Sequence, residues 1–311
     1  MSYEISLISI LEVILTLIIA LFIGVLIPGI ERKYVQARIQ QRIGPPVTSP
    51  GLYKAMPILC FIVVLAVFLA LMPQNYQFMA FASLIAIVGF LKVEEIAYVL
   101  MGSLSKSVMS INLRFPDHAK GAARTDLMVS SIEDISSNRS LRMIIFGSFP
   151  LYLALFIPAA LSKSIYLADI VAYQQANGPF LFTLAGIIGT VVFFIGYMII
   201  LNEYPFSYIK AKSDVIEGPY MELASKYRTF VYLTRGFLIF TLGLMYCVLF
   251  LGVAPELFSL KFIVCLIVTL LLPVIMAIVS AFSPIFTNRQ LYPTILVSSA
   301  LGVLAIVIAL F

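Results

Sequence analysis

Long apolar runs separated by polar segments make up most of the 311-residue chain. A membrane-spanning helix needs about 20 predominantly apolar residues. Eight runs reach or approach this length: 6–30, 55–73, 77–92, 141–162, 179–202, 229–253, 262–282 and 290–311. The pattern therefore predicts an all-α integral membrane protein of about eight transmembrane helices, with residues 1–311 as one polytopic domain.

The third run is the shortest, and charged residues follow it directly. Lys92 and Glu95 stand three positions apart, which places two side chains on the same face of a helix. We expect the two charges to pair if the helix continues through them.

The polar segments indicate an orientation. When the segment 31–54 is placed in the cytoplasm, 92–140, 203–228 and 283–289 fall on the same side. Of the twenty Lys and Arg residues, all but Lys163 and Lys261 lie in these segments or at the helix ends beside them. Cytoplasmic loops are enriched in Lys and Arg. We therefore expect a multi-pass protein of the cell membrane with both termini outside.

Composition excludes several classes of protein. Apolar residues make up 62% of the chain and charged residues 11%, against roughly 25% charged residues in soluble domains. The basic excess is explained by topology, so it predicts no nucleic-acid partner. Cys60, Cys247 and Cys265 lie far apart in apolar runs, and His118 is the only histidine. We expect this chain to bind no metal or redox cofactor.

The first long inner loop, 31–54, is strongly basic and has a helical pattern. Val35, Ile39 and Ile43 recur every four residues, and Gly44-Pro45-Pro46 ends the predicted helix. One interpretation is an interfacial helix in a positive-inside loop. The other is a rigid platform for a soluble partner. The three long inner loops are all expected to carry short amphipathic helices.

Two of these loops resemble a known family. The segment 30–46, IERKYVQARIQQRIGPP, is similar to the first-loop signature of the NuoH-type subunit of respiratory complex I and of related membrane-bound hydrogenases. The segment 203–223, EYPFSYIKAKSDVIEGPYMEL, resembles the third inner loop of that family. The eight-span plan also matches, so the resemblance covers nearly the whole chain.

The resemblance implies a membrane subunit of a multisubunit complex that couples redox chemistry to H⁺ or Na⁺ translocation. Its partners would be hydrophilic redox subunits on the cytoplasmic side, antiporter-like membrane subunits and the lipid bilayer. Iron–sulfur clusters and a NiFe-type centre would belong to the partners, and this chain would be non-catalytic.

Departures from the family pattern favour one branch. Family acids of the third loop fall on Ser207, Lys210 and Lys212 here, and two lysines in place of carboxylates invert the local field. Quinone binding is therefore disfavoured, and the hydrogenase or sulfane reductase branch is favoured.

Six acids are candidates for the ion path or its coupling. A carboxylate in hydrocarbon is costly unless it is protonated, paired or hydrated. Glu203 also matches a family acid and ends the fifth predicted span. For Glu94 and Glu95 a structural pair with Lys92 competes with a proton relay, and the loop acids are most simply solvated. The set is Glu12, Glu94, Glu95, Glu203, Asp214 and Glu222.

A second set is predicted to dock the soluble module. Arginine forms bidentate bonds with carboxylates, which suits a protein interface, although lipid phosphates are an alternative ligand. The set is Glu31, Arg32, Lys33, Arg38, Arg42, Gly44, Pro45, Glu217 and Gly218.

Three other functions compete with this interpretation. A quinone-binding NuoH-type subunit of a complex I-like dehydrogenase is the first alternative. A stand-alone secondary transporter is the second, although such folds usually carry two matching halves, which are missing here. The third is a passive anchor without an ion path.

Overall fold

The computed structural model describes residues 49–71, 82–104, 139, 141–207, 225–255 and 260–310. These residues are mostly helical. The helices are α1 (Ser49–Ala70), α2 (Leu84–Leu104), α3 (Phe149–Ser162), α4 (Leu167–Asn177), α5 (Leu184–Ile200), α6 (Ser225–Tyr246), α7 (Leu260–Phe282) and α8 (Asn288–Leu310). A π-helical segment, Met143–Gly147, precedes α3, and another, Cys247–Leu251, continues α6.

Four of the described helical stretches are long and apolar enough to cross a membrane: Met143–Ser162, Tyr227–Leu251, Leu260–Phe282 and Arg289–Leu310. Two shorter apolar helices cover Ala55–Ala70 and Leu184–Ile200. All six fall on predicted spans. The predicted first span, 6–30, lies outside the described residues.

Helix α2 differs from the predicted third span. The apolar run predicts 77–92, whereas α2 covers Leu84–Leu104 and carries Lys92, Glu94 and Glu95 in its interior. The helix continues because the charges of Lys92 and Glu95 pair across one turn, as the spacing predicts. Hydropathy alone ends the run at the first of these charges.

Helix α4 occupies a segment for which the sequence predicts only an outer connection. It begins after Ser164, whose hydroxyl donates to the Asp169 carboxylate at 2.7 Å, and ends before Gly178 at φ 95°. Leu167, Ile170 and Gln174 are its buried residues. The element is too short and too polar to span a bilayer, and it packs against α3 and the second π segment.

Two groups of helices form the body of the described chain. Helices α3, α5 and α8 pack against one another, while α1 contacts α2 and α6, and α6 contacts α7. Glycine allows the closest approach, as in many membrane interfaces. A Cβ atom on Gly196 of α5 would lie 2.5 Å from the backbone nitrogen of Leu151 in α3.

Aromatic side chains fill the space between α5 and the end of α6. Phe193 contacts Tyr246 and Phe250 with ring centroids 5.3 and 5.8 Å apart. In contrast, α7 and α8 leave many large apolar side chains exposed, for example Ile267, Leu270 and Leu296. Such a surface suits a hydrocarbon environment.

Candidate functional site

Lys92 of α2 forms three polar contacts inside the helix bundle. Its Nζ donates to Glu95 Oε2 at 2.8 Å and to the Ile144 carbonyl at 2.8 Å. The third contact is the hydroxyl of Ser148. An ammonium group has three hydrogens to donate, so these contacts satisfy the lysine and bind α2 to the segment that leads into α3.

The π segment Met143–Gly147 supplies one of these acceptors. A π-helical turn shifts the backbone hydrogen bonds of a helix and is frequent at functional sites. The Ile144 carbonyl accepts from Lys92 and also from Ser148 Oγ at 3.0 Å. Lys92 of α2 is therefore hydrogen-bonded directly to the π-helical segment.

Glu94 contacts a different helix from its neighbour Glu95. Its Oε1 lies 3.9 Å from Nη1 of Arg235 in α6, and both side chains are largely buried. Consecutive helical positions differ by about 100° in direction. Glu94 therefore connects α2 to α6, whereas Glu95 pairs with Lys92 of its own helix.

Arg235 extends the contacts to the end of α5. Its Nη2 donates to the Ile200 carbonyl at 2.9 Å, and Asn202 Nδ2 donates to the same oxygen at 3.2 Å. The last carbonyls of a helix lack intrahelical partners, so a cation is favourable there. We name Lys92, Glu94, Glu95 and Arg235 the buried ionic cluster.

Glu203 lies in the turn that follows α5. Its backbone N–H donates to Met198 O at 3.1 Å, and its carbonyl accepts from Phe206 N at 2.7 Å. The side chain is half-buried. The residue thus stays next to the end of α5, where the sequence predicts that an apolar span ends, while the chain turns away at Pro205.

The turn 201–207 is attached to α7 and to the connection between α7 and α8. Ser280 Oγ donates to Tyr204 O at 3.0 Å, and Phe286 N donates to Pro205 O at 2.9 Å. Phe206 and Phe286 pack edge to face with centroids 5.5 Å apart. A displacement of this turn would therefore act on the connection between the last two helices.

The structure describes three of the six predicted coupling acids. It brings Glu94 and Glu95 into one cluster and joins that cluster through Arg235 to the helix end beside Glu203. The other coupling acids and the whole docking set lie outside the described residues, namely Glu12, Asp214, Glu222, Glu31, Arg32, Lys33, Arg38, Arg42, Gly44, Pro45, Glu217 and Gly218.

Sequence reasoning missed the role of Arg235 and treated it as a basic helix end. The available signal was its place inside the predicted span 229–253, because charged residues within spans usually face a partner or a wet interior. Ser148 and Tyr152 were also missed. The Tyr152 ring lies under Lys92, with Nζ 4.7 Å from its centroid.

The buried ionic cluster is better suited to electrostatic coupling than to catalysing the making or breaking of covalent bonds. Two carboxylates and two cations balance in charge, so protonation of either carboxylate would leave its cation, Arg235 or the partly buried Lys92, with a weaker partner. Among the described residues, no group of three or more His, Cys, Asp or Glu side chains is placed to hold a metal ion.

These helices and their apolar composition make the chain a multi-pass membrane protein. It belongs to the NADH dehydrogenase family, whose model matches residues 131–310, and it is a NuoH-type subunit. It is 39% identical to an uncharacterized protein of Methanocaldococcus jannaschii over 94% of this chain and 95% of that protein.

A solved structure shares the fold. A chain of the membrane-bound sulfane sulfur reductase, an archaeal respiratory membrane complex, superposes with a TM-score of 0.65. The match covers 96% of this chain and 99% of the other at 22% identity. The fold of this chain is therefore shared with a chain of that complex despite wide divergence in sequence.

Proposed function

We propose that this chain is a non-catalytic membrane subunit of a redox-driven H⁺- or Na⁺-translocating complex of the hydrogenase or sulfane reductase type. It seats a hydrophilic iron–sulfur module on its cytoplasmic loops and passes a change of charge to antiporter-like subunits. The observation that carries this proposal is the buried ionic cluster, which joins α2, α3 and α6 and reaches the turn with Glu203.

The coupling step follows from the contacts of the cluster. A proton taken up by Glu94 weakens its attraction to Arg235, which also holds the end of α5 through Ile200 O. Loosening of this end would move the turn 201–207, and that turn is bonded to α7 and to the connection that leads into α8. A change of charge near the redox module would in this way displace membrane helices.

Docking rests on the basic loop. Arg38 and Arg42 lie one helical turn apart in the predicted helix, so both can meet an acidic surface. The family relation and the fold shared with a respiratory complex support a protein partner there, and cytoplasmic placement follows from the Lys and Arg distribution.

The coupling experiment compares Glu203→Gln with wild type in the complex reconstituted into vesicles. Glutamine has nearly the same size but cannot ionise, so we expect normal assembly and redox activity with reduced ion transport. Asp169→Asn is the control, because Asp169 lies in the connection expected outside and bonds Ser164. Normal transport by Glu203→Gln would remove Glu203 from the coupling path.

The docking experiment combines Arg38→Glu with Arg42→Glu. Charge reversal replaces attraction by repulsion, and loss of a buried charge pair costs about 2–5 kcal/mol, so the hydrophilic subunits should no longer copurify. The double variant Lys163→Glu and Lys261→Glu changes the net charge equally at exposed positions and should retain them. Retention by the arginine variant would show that 31–54 is only a basic loop.

A further inference from the structure

Two of the three cysteines contact each other although they are 18 positions apart in sequence. Cys247 begins the π segment that continues α6, and Cys265 lies in α7. The Cys247 thiol donates to the Cys265 carbonyl at 3.7 Å, and both side chains are fully buried. The third cysteine, Cys60 of α1, donates to the Glu94 carbonyl of α2 at 3.9 Å. It therefore belongs to a different part of the helix bundle.

A close helix crossing holds the two cysteines together. A Cβ atom on Gly243 of α6 would lie 3.1 Å from Cα of Thr269 in α7. Cys247 follows Gly243 by one helical turn and Cys265 precedes Thr269 by one turn, as antiparallel neighbours require. A disulfide joins Cα atoms that are about 4.4–6.8 Å apart. A crossing this close lets a pair of cysteines one turn away meet that requirement.

The hydroxyl of Thr269 is a second unusual feature of this crossing. It is 2% exposed and has no hydrogen bond to any described residue. The carbonyl four positions before Thr269 is that of Cys265, and the Cys247 thiol donates to it instead. Four other helical threonines donate to the carbonyl four positions earlier, namely Thr190, Thr234, Thr241 and Thr294. A hydroxyl that can donate therefore lies buried beside the Cys247 thiol.

The connection after α6 covers the cysteine pair. The Cys265 thiol donates to Val253 O at 3.4 Å, and Val253 N donates to Cys247 O at 3.3 Å. Val253 is half-buried and lies in the connection that the sequence predicts to be outside. Disulfides persist outside the cytoplasm more readily than within it. A small apolar molecule can reach the pair there when the helix end opens locally.

We propose that Cys247 and Cys265 are a thiol–disulfide pair, which a small apolar disulfide oxidises to a bond between α6 and α7. The thiolate of one cysteine attacks the oxidant and releases half of it as a thiol, and the second cysteine displaces the other half. Two cysteine thiols are thus oxidised, and the oxidant is reduced to two thiols that take up the two protons. Thr269 is a positioning residue, because its hydroxyl donates to the Cys247 thiolate. The pair acts independently of the proposed coupling function.

The test treats membranes that contain the full chain with dithiodipyridine, an apolar disulfide that releases thiopyridone when a thiol attacks it. The chain carries Cys60→Ser, so that only the pair can react. We expect two equivalents of thiopyridone per chain and, in non-reducing peptide maps, a Cys247–Cys265 link that dithiothreitol opens. Addition of Cys247→Ser or Cys265→Ser should halve the release and leave the pyridyl group on the remaining cysteine.

The part of Thr269 is tested by the rate of release. Thr269→Val should slow formation of the link about tenfold, because a hydrogen bond to a charged group stabilises it on that scale. Thr269→Ser keeps the hydroxyl and should restore the rate. A valine variant that reacts as fast as the parent chain would overturn the role of Thr269.

Two outcomes would overturn the pair itself. One is a pyridyl group on both cysteines with no linked peptide, which would show that the two sulfur atoms cannot meet. The other is a folded chain that releases no thiopyridone while the chain denatured in detergent releases two equivalents. In that case the thiols would be closed to small oxidants.

Discussion

Arg235 illustrates how one side chain connects distant parts of the chain. It pairs with Glu94 of α2 and caps the end of α5 at Ile200, so three helices depend on one guanidinium group. Arginine suits this task because its planar fork donates in several directions and stays charged when buried. A lysine has a single charged nitrogen and no such fork.

Replacement of Arg235 by methionine should destabilise the protein strongly. Removing one partner of a buried ion pair leaves an uncompensated charge and costs about 3–5 kcal/mol. The measurement is the thermal unfolding midpoint of the purified protein in detergent. Arg228→Met on the same helix, where the guanidinium lies over the Tyr232 ring at 5.8 Å, is the matched control.

A second substitution separates the lost pair from lost packing. Combining Arg235→Met with Glu94→Gln removes the abandoned carboxylate and should restore part of the unfolding midpoint. Equal effects of Arg235→Met and Arg228→Met would contradict the importance of the pair, as would a double variant no more stable than the single one.

The residue scale also shows what sequence can predict. Lys92 and Glu95 pair as expected because their spacing within one helix fixes their distance. The pair of Glu94 and Arg235 is 141 positions apart in sequence, and nothing in either local pattern indicates which helices meet. The helical period fixes the direction in which each side chain leaves its own helix. Which helices contact one another depends on how they pack.

At the scale of elements, two helices contain irregular segments that are held by polar side chains. Lys92 binds the first π segment. Gln174 of α4 binds the second, because its Nε2 donates to Val248 O at 3.2 Å and to Leu249 O at 3.1 Å. Its Oε1 accepts from Phe180 N at 3.3 Å. A short polar helix thus completes the hydrogen bonding of a membrane helix.

Gln174→Leu should therefore lower stability although it makes the helix more apolar. The change leaves buried backbone groups without a side-chain partner, at a cost of about 1–3 kcal/mol for each unsatisfied group. The neighbouring Gln175 is exposed, so Gln175→Leu is the matched control. Detergent unfolding midpoints compare the two. A drop no larger for Gln174→Leu than for Gln175→Leu would refute the capping role.

Hydropathy predicts the ends of a helix only where charged residues do not interrupt the apolar run of that helix. The described helices α1, α3 and α5 to α8 fall on predicted apolar runs, because hydrocarbon demands continuous apolar sequence. Helix α2 runs past its charges because Lys92 and Glu95 pair within the helix and Arg235 of α6 pairs with Glu94. Helix α4 and the π segments were missed because their stability comes from tertiary hydrogen bonds, which a window of sequence does not contain.

At the scale of the whole molecule, the buried ionic cluster and the turn 201–207 form one connected system. The cluster contacts α2, α3, α5 and α6, and the turn contacts α7 and the connection after it. Such a contiguous set of packed and hydrogen-bonded elements is the physical means by which a local charge change can reach distant helices.

The orientation of this system in the membrane is the last prediction. The Lys and Arg distribution places the α7–α8 connection in the cytoplasm and Lys163 outside. Single cysteines at Lys163 and Thr287, both exposed, can be labelled with a membrane-impermeant maleimide in intact cells and in inverted vesicles. The native Cys60, Cys247 and Cys265 are buried, so wild type should stay unlabelled and serves as the control.

We expect Lys163→Cys to react only in cells and Thr287→Cys only in inverted vesicles. Because the α7–α8 connection contacts the turn with Glu203, that acid would then lie near the cytoplasmic face, where a redox module can act on it. Reaction of both cysteines from the same side would refute the topology. It would also refute the proposal that a redox module acts on Glu203 from the cytoplasm.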